Sequence, residues 1–165
     1  MRNKKALFIT QAAMIAAIYV VMTYFINAFN LANGAIQIRL SEALCILPIF
    51  TPAAVPGLVI GCFISNTITS GVVADMIFGT LATLIGAVGT RMLKNTKFAF
   101  TLPPVISNMI IVPLILKYAY NMGDAWWFMA ITVGIGEAVS VCVVGMFLKK
   151  ILWKNRSQIF KMGED

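Results

Sequence analysis

A chain of 165 residues that is 60% hydrophobic and 12% charged, with a mean hydropathy of +0.89, carries about half the charge of a soluble domain. A water-soluble core could not hide so much apolar surface, so lipid must be the solvent for much of it, and 1–165 reads as a single integral membrane domain. The net charge of +7 falls in three small basic clusters between apolar runs rather than in a basic stripe interleaved with aromatics, which argues against nucleic acid; the lack of histidine removes histidine metal sites, Ser-His nucleophiles and histidine proton relays.

The chain opens "MRNKKALFITQAAMIAAIYVVMTYFI", a charged start followed by an apolar run. Signal-peptide cores are about 7–15 residues, and 6–26 is long enough to span, so it reads as an uncleaved first crossing. Within it, Ala12-x-x-x-Ala16 and Ala13-x-x-x-Ala17 make a flat strip that another helix can approach closely, inside the chain or between chains. The region 36–69 would make a helix of roughly 51 Å, too long for one upright crossing. Two short crossings fit, at about 36–50 and 54–69, with Pro48, Pro52 and Pro56 near the turn between them. Gly57-x-x-x-Gly61 repeats the small-residue spacing there. Further crossings read at about 75–93, 101–120 and 126–148.

Charge decides the parity. Arg2, Lys4 and Lys5 form one cluster; Arg91, Lys94 and Lys97 a second; Lys149, Lys150, Lys154, Arg156 and Lys161 a third. Two crossings in 36–69 place all three on one side, as the positive-inside rule requires. The expectation is an all-α polytopic membrane protein of six transmembrane helices with N- and C-termini cytoplasmic. The outer loops, about 27–35, 70–74 and 121–125, then contain Asp124 as their one charge.

Charges inside the apolar runs are the candidate site. In "IQIRLSEAL", Arg39 and Glu42 stand at i and i+3 on one helix face; they either pair with each other or line a polar pocket open to the outside. Glu137, in "AITVGIGEAVSV", falls about midway across the hydrocarbon, where a lone carboxylate costs on the order of 3 kcal/mol or more. Its partner is either an internal cation, with Arg39 the natural one, or a ligand. Asp75 either caps the fourth helix or faces the pocket. Asn66 and Asn108 are interhelical hydrogen-bond formers or ligand contacts. Trp126 and Trp127 sit where the sixth helix enters from outside, as interfacial aromatics do. Phe29, Phe63 and Phe78 could stack on a flat ligand, although phenylalanine in such a chain is commonly packing. Cys45, Cys62 and Cys142 read as small packing residues without metal-type spacing. No phosphate loop occurs, so pumping would draw on an ion gradient or a separate ATPase. No convincing internal repeat supports an inverted-repeat carrier, and no carboxylate pair or Ser/Lys dyad suggests an enzyme.

The segments "IQIRLSEALCILPIFTPAAVPGLVIGC", "DMIFGTLATLIGA", "LPPVISNMIIVPL" and "WWFMAITVGIGEAV" together resemble the QueT family over nearly the whole chain. That resemblance implies a substrate-binding S component of an energy-coupling factor (ECF) transporter in a bacterial cell membrane, taking up a queuosine precursor with high affinity. It implies a ligand pocket in the outer half, a transmembrane coupling (T) protein and two cytoplasmic ATPases as partners, with ATP used by those subunits and no cofactor in this chain. It assigns Ala12, Ala13, Ala16 and Ala17 to the coupling-protein interface. The implied ligand is a 7-deazaguanine such as queuine or its precursors. One carboxylate could accept its ring N–H and exocyclic amine together, Glu137 first and Glu42 second. Asp75 could pair with a cationic aminomethyl group, Arg39 could donate to the ring carbonyl or hold Glu42, and Trp126, Trp127 or a phenylalanine could cover the ring. The alternatives are a stand-alone ion-coupled carrier, in which Arg39, Glu42 and Glu137 form a relay, and an S component for another flat vitamin.

Overall fold

The computed structural model describes residues 4–28 and 39–160, and among these every regular element is helical. Helix α1 is Lys4–Ala28, α2 Leu40–Ile49 and α3 Ala54–Thr69. Helix α4 runs through Asp75–Gly79 into Thr80–Met92, and α5 is Leu102–Tyr118, entered by a 3-10 turn at Ala99–Thr101. Helix α6 is continuous over Trp126–Lys154, and a single turn, α7, follows at Arg156–Ile159. Three of the segments are long and apolar enough to cross a membrane: Lys4–Ala28, Ala99–Tyr118 and Trp126–Lys154. Positions 36–38 of the second expected crossing, and Phe29, Arg2 and Lys161, lie outside the described residues.

Three of the expected helices differ in form from the α-helices the sequence suggests. Helix α2 is a ten-residue 3-10 helix, and every side chain from Ser41 to Pro48 is buried. At a rise of about 2.0 Å per residue it covers roughly 20 Å, where an α-helix would cover about 15 Å. That extension lets a short segment run through the middle of the bundle. Helix α6 has the opposite distortion: Ala138–Gly145 is π-helical, and it is this stretch that packs on α2. The first turn of α4, Asp75–Gly79, is π-helical as well.

The alanine strip of α1 divides into two faces. Ala12 and Ala16 are buried against α3: a Cβ added at Gly57 would lie 2.7 Å from the Ala12 carbonyl oxygen, and one at Gly61 would lie 3.0 Å from that of Ala16. Only glycine permits this approach, so the two small-residue motifs are one helix–helix contact. Ala13 and Ala17 face away and are exposed, among Met14, Ile18 and Val21.

The basic clusters collect at one end of the bundle. Arg91 Nη1 donates to the Pro48 carbonyl at 2.9 Å, and Lys149 Nζ lies 4.2 Å from the Phe100 ring centroid. At this end the chain after α6 turns back and inserts Phe160, which stacks on Phe50 with centroids 5.1 Å apart. Gln11 of α1 ties the closure together, donating to the Ile159 carbonyl at 3.3 Å and accepting from Thr51 Oγ1 at 2.8 Å. The sequence offers little warning of α7, since a four-residue turn has no periodicity to read.

Candidate functional site: a polar cavity at the opposite end

At the other end the helices leave a cavity of about 330 Å³. Its walls come from α1 (Tyr19, Thr23), the start of α2 (Arg39, Ser41), α3 (Asn66), the first turn of α4 (Asp75) and the segment after α5 (Tyr120). Arg39 stands just before α2 with φ −94° and ψ 90°, outside the helical register. Its guanidinium therefore leaves the face of Glu42 and reaches Asp75 on the cavity wall, Nη2 to Oδ1 3.9 Å. Asp75 does not cap α4. It sits inside the π-helical turn, its side chain 6% exposed, and accepts from Tyr120 Oη at 3.4 Å. Asn66 supports the same corner by donating to the Asp75 backbone carbonyl at 3.0 Å. Gly79 makes room for this, because a Cβ there would lie 2.8 Å from Asn66 Nδ2 and 3.1 Å from Asp75 Oδ1.

These distances define what the corner can do. Charge-assisted N–H···O bonds run about 2.7–2.9 Å, so the Arg39–Asp75 contact is about an ångström longer than a bond. The Tyr120 contact is long as well. Asp75 is a buried carboxylate with two loose partners, set beside a cation on the wall of a cavity large enough for a small molecule. Glu42 is the contrary case. It is 1% exposed; Tyr19 Oη donates to its Oε1, and Cys45 Sγ lies 3.0 Å from its Oε2. The 3-10 turn produces that second contact, since residues i and i+3 eclipse in it. Cys62 joins the same interior cluster, accepting from Thr83 Oγ1 at 3.2 Å and from Asn66 Nδ2 at 3.5 Å.

Glu137 and Asn108 lie deeper, 3% and 2% exposed, and neither lines the cavity. Glu137 is within electrostatic reach of Glu42, Arg39 and Asn108. Asn108 is within hydrogen-bonding reach of Glu137, although Glu137 Oε2 and Asn108 Nδ2 make no bond of good geometry among the described residues. Trp126 and Trp127 are 39% and 63% exposed at the start of α6 and stand outside the cavity, as do Phe63 and Phe78, about half exposed. Thus Arg39, Asp75 and Asn66 are brought together; Glu42, Asn108 and Glu137 are buried nearby; the tryptophans are apart. Sequence reasoning missed Tyr19 and Tyr120. Tyr19 stands inside the first apolar run and Tyr120 at the end of the fifth, and the hydroxyl of a tyrosine in such a run, which needs a partner when buried, was the available signal.

The sequence model of the QueT transporter family matches residues 9–154. The chain belongs to the QueT family. A curated relative, the Queuosine precursor transporter QueT of Lactococcus lactis subsp. cremoris (strain MG1363), is 35% identical over 85 residues, covering 52% of this chain and 50% of that protein. The chain thus spans about half the length of the relative it matches. No solved structure matches. The matching family model is described as that of a transporter.

Proposed function

We propose that this QueT protein is the substrate-binding S component of an ECF-type importer in a bacterial cell membrane, and that the cavity holds a queuosine precursor of the 7-deazaguanine class. Six crossings with both ends cytoplasmic put the cavity outside and the basic, Phe160-closed end inside, in keeping with the positive-inside rule. The observation that carries the reading is Asp75: a buried carboxylate with two loose partners, beside Arg39, in a cavity at the small end of the ~300–1,000 Å³ range of ligand pockets. A flat base bearing N–H groups and a carbonyl satisfies both sides of such a corner. Asp75, rather than Glu137, takes the exocyclic amine or a cationic aminomethyl group; Arg39 donates to the ring carbonyl; Asn66 holds Asp75 in place. The exposed Ala13 and Ala17 present the small-residue face to the coupling protein, and Ala12 and Ala16 fix that helix from within. Two partner ATPases supply the ATP hydrolysis.

Thermal unfolding of the purified protein with queuine and its precursors tests the ligand. At a hundredfold excess over Kd a ligand adds about 2.7 kcal/mol of apparent stability. Stabilisation by riboflavin or thiamine and not by any 7-deazaguanine overturns the ligand class. Uptake by cells in which the protein purifies without ATPases overturns the S-component role in favour of an ion-coupled carrier.

A further inference from the structure

The cavity wall has a polar part and an apolar part. Arg39, Ser41, Asn66, Ser70 and Asp75 supply the polar part. The apolar part comes chiefly from α5, as Val112, Ile115 and Leu116, and is continued past the helix end by Tyr120 and Met122. Two aromatic rings stand among the described lining residues, Tyr19 and Tyr120, and they are not equivalent. Tyr19 is buried and gives its hydroxyl to Glu42, whereas Tyr120 is 41% exposed and lies at the rim. We infer that Tyr120 is the cover of the cavity, the ring against which a flat ligand lies, and that Asn121 is the residue that positions it. This rests on the cavity being the ligand site.

Side-chain and backbone geometry converge on it. Tyr120 Oη donates to Asp75 Oδ2 at 3.4 Å, and the Ser70 hydroxyl is also within hydrogen-bonding reach of it. The tyrosine thus bridges from the end of α5 to the α3–α4 side of the cavity. A ligand group bonded to Asp75 lies against the Tyr120 side chain. The tether is long for an O–H···O bond and therefore weak, so the ring can swing aside and return. The backbone fixes where it returns to. Helix α5 ends in a widened turn: Ala119 and Tyr120 N–H both donate to the Ile115 carbonyl, at 2.8 and 3.2 Å, and Met122 N–H reaches back to the Leu116 carbonyl at 3.1 Å. Between them Asn121 has φ +50°, the one positive φ outside glycine among the described residues. Asparagine tolerates this left-handed conformation at a helix end; a β-branched residue does not. Asn121 is exposed and does not line the cavity, yet both of its neighbours do. Its contribution is the chain reversal that turns Tyr120 and Met122 onto the wall. Trp126 and Trp127, only a few residues on, stay outside.

The cover is tested without a ligand by labelling Ser70→Cys, on the wall beside Tyr120, with a small cationic methanethiosulfonate. The background is Cys142→Ala, in which Cys45 and Cys62 are fully buried, and the same background with Ser70 intact gives the baseline. Labelling should be at least about tenfold faster in Tyr120→Ala and in Asn121→Val than in Asn121→Gly, which keeps the left-handed conformation. No acceleration in Tyr120→Ala overturns the cover. Equal rates in Asn121→Val and Asn121→Gly overturn the positioning role. Calorimetry with queuine then measures the ring itself. Affinity should fall about thirtyfold in Tyr120→Ala, the equilibrium worth of stacking one base on an aromatic ring, and about threefold in Tyr120→Phe, which keeps the ring and loses the tether. Equal losses in the two variants, or none in Tyr120→Ala, overturn the stacking role. Asn121→Val should lose at least about fivefold more affinity than Asn121→Gly, although neither side chain touches the cavity. Accelerated labelling of Ser70→Cys that queuine does not slow in the protein with Tyr120 intact leaves the cover standing and overturns the ligand class instead.

Discussion

At the Arg39 end the helices stop short of one another and leave about 330 Å³, with Arg39 and Asp75 3.9 Å apart on its wall. At the Arg91 end the same helices converge on Phe50, which stacks on Phe160, while Gln11 bonds both the α2–α3 turn and the α7 carbonyl. One end is made of contacts that are complete as they stand. The other holds charged groups whose partners are too far away or poorly aligned. The difference assigns separate duties within one small bundle: cohesion belongs to the closed end, and the capacity to accept a guest belongs to the open one. Helix α2 is the element common to both, carrying Arg39 before its first turn and Phe50 after its last.

The comparison can be broken most sharply at Asp75. Asp75→Ala should lower queuine affinity by about 3 kcal/mol, on the order of a hundredfold, because it removes the acceptor and leaves Arg39 unpaired; isothermal calorimetry measures it. An unchanged affinity would move the ligand away from the open end. Next comes Phe160→Ala at the closed end, expected to cost about 3 kcal/mol of stability in thermal unfolding, as aromatic truncations in packed cores do, with queuine affinity preserved. A loss of affinity there would show that the ends are not separate. Gly57→Ala should have a smaller, mixed effect of about 1–3 kcal/mol in unfolding. Its new Cβ pushes on the Ala12 carbonyl, and α1 also carries Tyr19, so affinity should fall with stability. The smallest effect is expected from Trp127→Ala, within about 0.5 kcal/mol in both measurements, since the side chain is 63% exposed and outside the cavity. A large loss of affinity in that variant would restore the tryptophans as covers for the ring.

Much of the helix layout was legible. The apolar run 54–69 and the helix Ala54–Thr69 coincide, because prolines on one side and a Ser-Gly pair on the other bound the run. Arg39, Asp75 and Asn66 were visible as candidates because polar groups in apolar runs are costly and require a reason. Their partners were not. The i, i+3 rule presumes that both residues lie within a helix, and Arg39 does not, so it left Glu42 and crossed to a residue 36 positions later. Glu137 was expected to read the ligand or to pair with Arg39; the structure holds it near Arg39 but behind the cavity wall, a matter of rotation about α6 that depth along a helix does not specify.

By itself, the sequence determined that this chain is a set of apolar helices punctuated by proline, glycine and clustered lysine and arginine, and that a few charges are embedded within it. Local steric preference and the cost of moving polar groups into hydrocarbon are sufficient for that. Only the tertiary structure decided which charges share a space, that Ala12 and Ala16 face inward while Ala13 and Ala17 face out, and that Tyr19 stands between the cavity and Glu42. Those outcomes depend on helix rotation, on a 3-10 helix lying against a π-helix, and on contacts between residues tens of positions apart, which are set by packing the helices together.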